Sequence, residues 1–194
     1  MALFGSHTKK LREARDAAGL LAIAADPEAK HRSGALMAVI ELVGDDGASS
    51  PFAEETSRVT RPLVVDPDPV VRALAVGALS LVKDPSAGSL AIEALHDPQP
   101  RVQVAGLIAI ANLNPPGAIN EVLAKLDEPD ELVRAFAASA LRLIGDRSLV
   151  PMLRDRADRE RSDSAKGALR EAIATLEGEG EPPDRGTFQS RSEI

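Results

Sequence analysis

The strongest constraint in this sequence is a step of 31 residues. It separates Val71-Arg72 from Val102-Gln103, and Val102-Gln103 from Val133-Arg134. Asp66-Pro67, Asp97-Pro98 and Glu128-Pro129 keep the same step, as do Leu79, Ile110 and Leu141. A fixed period of this length marks a solenoid, in which each unit buries its apolar face only against its neighbours. Such a chain folds as a stack, and it meets other molecules on its surface.

Each period reads as two helices. In the unit that starts at Asp66, Asp68 is placed to cap a helix, and Pro69 suits its first turn, where the backbone nitrogen needs no intrahelical partner. Gln99 and Asp130 fall at the equivalent cap position. Val71, Ala75, Ala78, Leu79 and Val82 then recur at helical spacing and form one apolar stripe. Asp84-Pro85 ends this helix, and a second one over roughly 85–95 carries Leu90, Ala91, Ala94 and Leu95. The next unit has Val102, Ala105, Ala109 and Ile110, a break at Pro115-Pro116, then Ile119, Val122, Leu123 and Leu126. The third has Val133, Ala137, Leu141 and Ile144, a break at Gly145-Asp146, and a short helix around Leu149, Met152 and Leu153. A last helix over about 162–177 repeats the pattern one residue late, with Ala165-Lys166, and closes the stack.

Upstream, Asp26-Pro27 lies 40 residues before Asp66-Pro67. The nine extra residues fit the loop 44–50, which joins helices expected near 28–43 and 51–64, the latter bent or ended at Pro62. A lone helix over 9–25 is expected to cap the open end of the array, with Leu3 and Phe4 beside it.

Hydrophobic residues make up 44% of the chain but aromatic ones only 2%, so Ala, Leu, Val and Ile must build the core. The fold class expected is all-α, a right-handed α-solenoid of about four and a half antiparallel helical hairpins over 9–177. Residues 1–8 are expected to form an N-terminal arm. Residues 178–194, rich in Gly, Pro and charge without periodicity, are expected to be a disordered tail. The absence of cysteine excludes disulfides, thiolate metal sites and thiol catalysis. A formal charge of -7 opposes general affinity for nucleic acid or anionic lipid. No stretch has the length of a signal peptide's apolar core or a membrane span, which makes a cytoplasmic location without membrane contact the expectation.

Residues 66–79 and 133–141 resemble HEAT repeats, specifically the short variety first described in phycobilisome lyases. Leu3-Phe4-Gly5, Lys9-Lys10-Leu11 and residues 16–21 also resemble the start of small prokaryotic HEAT proteins. The resemblance covers 9–177 and implies a scaffold or adaptor that binds a protein partner, with second helices on the concave side where partners dock. Gln103 in place of Arg, Ala165-Lys166 in place of Val-Arg, and the longer first loop depart from the family pattern. They interrupt any continuous arginine ladder. Arg72 and Arg134 read as turn braces or inter-repeat hydrogen-bond donors near Asp66 and Asp130, in preference to anion ligands.

Some HEAT-like proteins are enzymes, and their motifs are missing here. Deoxyhypusine hydroxylases hold iron through His-Glu pairs, whereas His7, His31 and His96 precede Thr8, Arg32 and Asp97. Alkylpurine DNA glycosylases need aromatic platforms, and this chain has four Phe with no Trp or Tyr. There is no phosphate-binding glycine loop or Ser-His-Asp motif. No catalytic residue, metal ligand or cofactor is therefore assigned, and the reading is a non-catalytic protein-interaction scaffold. The alternatives are a phycobilin-lyase-like or chaperone-like subunit, and a nucleic-acid binder through 142–170, where eight basic residues face five acidic ones.

The period also predicts which side chains point outward from the second helices. It lines up Arg58, Ser89, Asn120 and Pro151 in one row and Pro62, Glu93, Ala124 and Asp155 in another. With the neighbouring Glu121, Lys125 and Arg154, these rows supply the candidate protein-binding residues.

Overall fold

The computed structural model describes residues 6–178, and all regular structure among them is helical. Leu3, Phe4 and residues 179–194 lie outside the described residues.

The chain opens with two helices, α1 (Ser6–Glu13) and α2 (Ala17–Ala25), instead of the single helix expected over 9–25. Arg15 takes a left-handed conformation with φ 56°, and the carboxylate of Asp16 accepts a hydrogen bond from the Gly19 N–H at 2.8 Å. That capped turn restarts the helix. A Cβ on Gly19 would stand 2.6 Å from Asp16 Oδ2, so the turn needs glycine there. The expected arm over 1–8 overlaps α1 from Ser6 onward. α3 (Arg32–Val43) begins later than 28, after His31 turns the chain with φ 67°. A 3-10 turn over Gly44–Ser49 leads to α4 (Ala53–Thr60), and a second 3-10 turn over Arg61–Val65 ends that helix around Pro62, as the sequence predicts.

The periodic region follows as α5 (Pro69–Leu81), α6 (Ala87–Ala94), α7 (Pro100–Leu113), α8 (Ala118–Ala124), α9 (Glu131–Ile144), α10 (Val150–Arg159) and α11 (Asp163–Glu177). Two of the three caps that the sequence places are made. Asp68 accepts from Val70 N–H at 2.8 Å, and Asp130 accepts from Leu132 and Val133 at 2.9 and 3.1 Å. Gln99 makes no such bond, so Pro100 alone marks the start of α7. Gly178, with φ 82°, ends α11 in the left-handed conformation common after helices.

Two layers result. The longer first helices α3, α5, α7, α9 and α11 pack side by side in one layer, and α4, α6, α8 and α10 lie in the other, each against the first helix that follows it. α2 extends the second layer by packing on α3 and α4, and α1 covers α3 at the end of the array. Small residues make the close approach possible: Ala75, Ala78, Ala109, Ala137 and Ala140 are at most 1% exposed. Larger buried side chains, among them Leu79, Leu107, Ile110, Leu141, Leu153 and Leu169, fill the space between helices. The core forms two contiguous clusters that meet at α5, one from Leu20 to Val82 and one from Ala73 to Ala172. Leu126 is 3% exposed and belongs to the second.

Candidate protein-interaction surface

The repeated arginines hold the units together. Arg72 donates from Nε and Nη2 to both carboxylate oxygens of Asp97 in the next unit, at 2.8 and 2.9 Å, and from Nη1 to the carbonyls of Asp66 and Pro67 in its own. Arg134 does the same one period later. It reaches Glu160 with two bonds of 2.9 Å and the carbonyls of Glu128 and Pro129 at 2.8 and 2.9 Å. Both therefore brace their turns and bridge repeats, although the bridging acid beside Arg134 is Glu160 and not Asp130. These side chains are 14% and 15% exposed, which leaves little of either cation for a ligand.

A third member escaped the sequence reading. Arg32 lies 40 residues before Arg72, the same offset as Asp26-Pro27 from Asp66-Pro67. It donates to Asp66 at 3.1 and 2.5 Å and to the Ala24 carbonyl at 3.1 Å. Its position six residues after an Asp-Pro pair was the signal. The ladder breaks where Gln103 replaces arginine. Gln103 Nε2 still donates to the Asp97 carbonyl at 2.9 Å, but its Oε1 is buried without a partner, and Glu128 is taken by Lys125 Nζ at 2.6 Å.

A separate tie joins α4 to the loop before α6. The Asp84 side chain is fully buried and accepts from Ser57 Oγ, from Arg61 Nη2 at 2.5 Å and from the Ser86 N–H at 2.7 Å. Burial works against its charge, but the hydrogen bonds from Ser57, Ser86 and Arg61 outweigh it and hold the carboxyl far below its ordinary range. Fully satisfied in this way, Asp84 is a structural anion.

Arg58, Ser89, Asn120 and Pro151, and likewise Pro62, Glu93, Ala124 and Asp155, are all exposed. The period thus separates outward from inward positions through the whole second layer. Arg154 is also exposed, and Glu121 is half-exposed beside His96 at 3.4 Å. Lys125 is the exception among the candidates. It is 8% exposed because the chain tightens into a 3-10 turn at the end of α8 and folds its side chain onto Glu128.

Several exposed charges already have intramolecular partners. Arg58 pairs with Glu55 at 2.5 and 3.0 Å, Asp155 pairs with Arg159, and Arg154 makes two bonds to Glu177 at 2.7 and 2.8 Å. Arg156 donates from Nε to the Leu126 carbonyl at 2.9 Å. Three arginines of the basic stretch 142–170 are therefore engaged within the fold. Beside Arg58 a groove of about 280 Å³ runs between α2 and α4, floored by Ala18, Leu21, Ala22 and Val59, with Pro62 along its side.

Among the described residues, no helix is long and apolar enough to cross a membrane. No curated protein matches the sequence. The family model for HEAT repeats matches residues 88–174, which span most of α6, all of α7, α8, α9 and α10, and most of α11. Residues 88–174 are thus similar to HEAT repeats, and the same hairpin, with its Asp-Pro turn and bridging arginine, extends upstream of that stretch through Arg72 to Arg32.

Proposed function

We propose that the chain is a non-catalytic adaptor that docks another protein on the outward side of its second helices. One observation supports this most: two rows of side chains stay exposed along α4 and the turn after it, α6, α8 and α10, while the repeated arginines are occupied in bonds between units. The rows vary in type from helix to helix, from Arg58 through Glu93 and Asn120 to Asp155. That variation suits recognition of one partner, because charge across an interface sets orientation and encounter rate. HEAT repeats generally act in protein–protein interaction, which agrees with this reading.

The groove between α2 and α4 adds a place for an apolar anchor. Interfaces concentrate their energy in a few side chains seated in dry pockets, surrounded by a rim that excludes water. Ala22 and Leu21 would floor such a seat, and the Glu55–Arg58 pair would form its polar edge.

The test is affinity capture with cross-linking from native lysate, using the wild-type chain, Glu93→Lys with Asn120→Arg, and Ala22→Arg. All three sites are exposed, so helicity should be retained. A partner cross-linked to the second-helix side and lost from both variants is the expected result. Equal capture by all three proteins would overturn the assignment of this side.

A further inference from the structure

The array ends on a helix with an uncovered side. With the one-residue shift of α11, Arg170, Ile173 and Leu176 take the positions of Ala138, Leu141 and Ile144 on α9. On α9, which a further helix follows, those three are at most 8% exposed, and their equivalents Leu107 and Ile110 on α7 are fully buried. No helix follows α11 among the described residues, and there Ile173 and Leu176 are only half-buried while Arg170 is exposed. Gly167 lies one turn before Arg170, and a Cβ on it would meet nothing within 4 Å.

Two cations complete this stripe. Lys166 stands where Arg72 and Arg134 stand in their units, and those arginines grip the acid that opens the next unit. Neither Lys166 nor Arg170 has a carboxylate partner among the described residues. Asp163 lies beyond them in the first turn of α11, Glu171 stands on the outer side at the position of Ser139, and Glu177 is taken by Arg154. From its C-terminal end the stripe therefore runs apolar, cationic, anionic.

The chain itself supplies the complement. Gly178, at the edge of the stripe, takes the left-handed conformation with φ 82° that Lys83 and Asn114 take where the chain turns back after α5 and α7. The residues that follow it include Pro182-Pro183, then Asp184, then Arg185, which is apolar, anionic, cationic. An extended chain laid antiparallel to α11 advances ~3.1 Å per residue against ~1.5 Å in the helix. After a reversal of about two residues, Pro182-Pro183 comes level with Ile173, and Asp184, ~12 Å along, comes level with Arg170. Glu181 then falls at the end where Arg154 meets Glu177, and Arg185 points on toward Asp163. A segment tethered this closely acts at an effective concentration of about millimolar, so contacts too weak to hold a free partner suffice. Its composition gives it no core of its own, but such a segment can order on a preformed face.

We propose that residues 179–185 fold back along α11 and cover the end of the array, with Pro182-Pro183 on Ile173 and Leu176 and Asp184 paired with Arg170. Covered in this way, the array offers no bare end to a second array, as the terminal units of repeat proteins require. The contact lies at the end of the stack and does not depend on the adaptor reading.

Disulfide trapping in the full chain tests it, and the lack of native cysteine keeps the test clean. Gly167→Cys with Arg185→Cys should close within one chain several-fold faster than Glu171→Cys with Arg185→Cys. The second pair closes the shorter loop, so an undocked tail would favour it or treat the two alike. Adding Arg170→Glu, an exposed change that leaves α11 intact, should abolish the preference for position 167. Adding Asp184→Arg to that variant should restore it, an effect that a merely structural role for Arg170 would not give. Equal closure of the two pairs overturns the proposal. So does a preference indifferent to Arg170→Glu, and so does bonding that forms between chains faster than within one, which would seat a second copy on this end.

Discussion

Arg72 grips Asp97 across the joint between two repeats with paired bonds of 2.8 and 2.9 Å, while its remaining nitrogen holds the Asp66 carbonyl at 2.8 Å. One side chain thereby fixes the turn of its own unit and the start of the next. Asp97 in turn accepts the Gln99 N–H at 2.9 Å, so the acid that opens each unit is clamped from both directions. Because repeat arrays are stabilised by intrinsic and nearest-neighbour terms, such joints set how cooperatively the stack behaves.

Arg72→Met should therefore cost about 1.5 to 3 kcal/mol, the usual scale for hydrogen bonds to charged groups. Asp97 would be left 13% exposed without its cation. Arg72→Lys should recover only part, because an ammonium cannot match the planar two-point contact. Urea unfolding at neutral pH reads both values. An unchanged midpoint for Arg72→Met would show that the joint contributes nothing to stability.

The opposite substitution applies at the gap. Gln103→Arg restores the residue found at the equivalent position in the units before and after, offers donors to the Asp97 and Pro98 carbonyls, and removes the buried unpaired Oε1. Glu128 stands where Asp97 and Glu160 stand in their units. A gain on the order of 1 kcal/mol is expected. Loss of stability in the same urea assay would mean that Lys125 already fills the space the guanidinium needs.

Acid should loosen the array from its last joint. Glu160 is pushed down to about 2 from an ordinary 4.5, chiefly by the Arg134 hydrogen bonds, against burial and with help from the Ser162 and Arg161 N–H groups. On acidification the unfolded chain takes up this proton first. The contribution is therefore complete above about pH 5 and is lost as the pH falls toward 2, to a total of roughly 3 kcal/mol. Asp66, Asp84 and Asp97 are lowered too and act in the same direction. Glu160→Gln should lower stability at pH 7 and flatten the decline between pH 5 and 3. An equally steep decline in that variant would exclude Glu160 from the acid limb.

The period made much of this legible. Val71, Val102 and Val133 are at most 1% exposed, and each position assigned to the two outward rows is exposed. What the period missed has physical causes. Arg32 was hidden by the nine-residue insertion, which shifts its offset from Arg72 to 40. The break at Arg15 was hidden because Leu11 and Leu20 both turn inward on either side of it, so apolar spacing alone shows no interruption. Lys125, a sequence neighbour of the rows and not a position of the period, is buried because α8 gives way there to a 3-10 turn, where the direction of each side chain changes. Pairing between distant charges, such as Arg154 with Glu177, leaves no local pattern at all.

Two glycines test the close packing from opposite sides. A Cβ on Gly106 would stand 2.7 Å from the Ala91 carbonyl oxygen, 3.1 Å from Ala94 Cβ and 3.2 Å from Leu95 Cδ2. The first of these atoms is helical backbone and cannot rotate away, so Gly106→Ala must push α6 off α7 and should cost about 1 to 3 kcal/mol. Gly77 occupies α5 with open space around its missing Cβ. Gly77→Ala should therefore stabilise by roughly 0.5 to 1 kcal/mol, since alanine stiffens the unfolded chain and favours the helix. Thermal and urea unfolding of the two variants should move in opposite directions. If Gly106→Ala were neutral, the two layers would not be in the contact that brings α6 onto α7, and the spacing of the whole second layer would have to be wider.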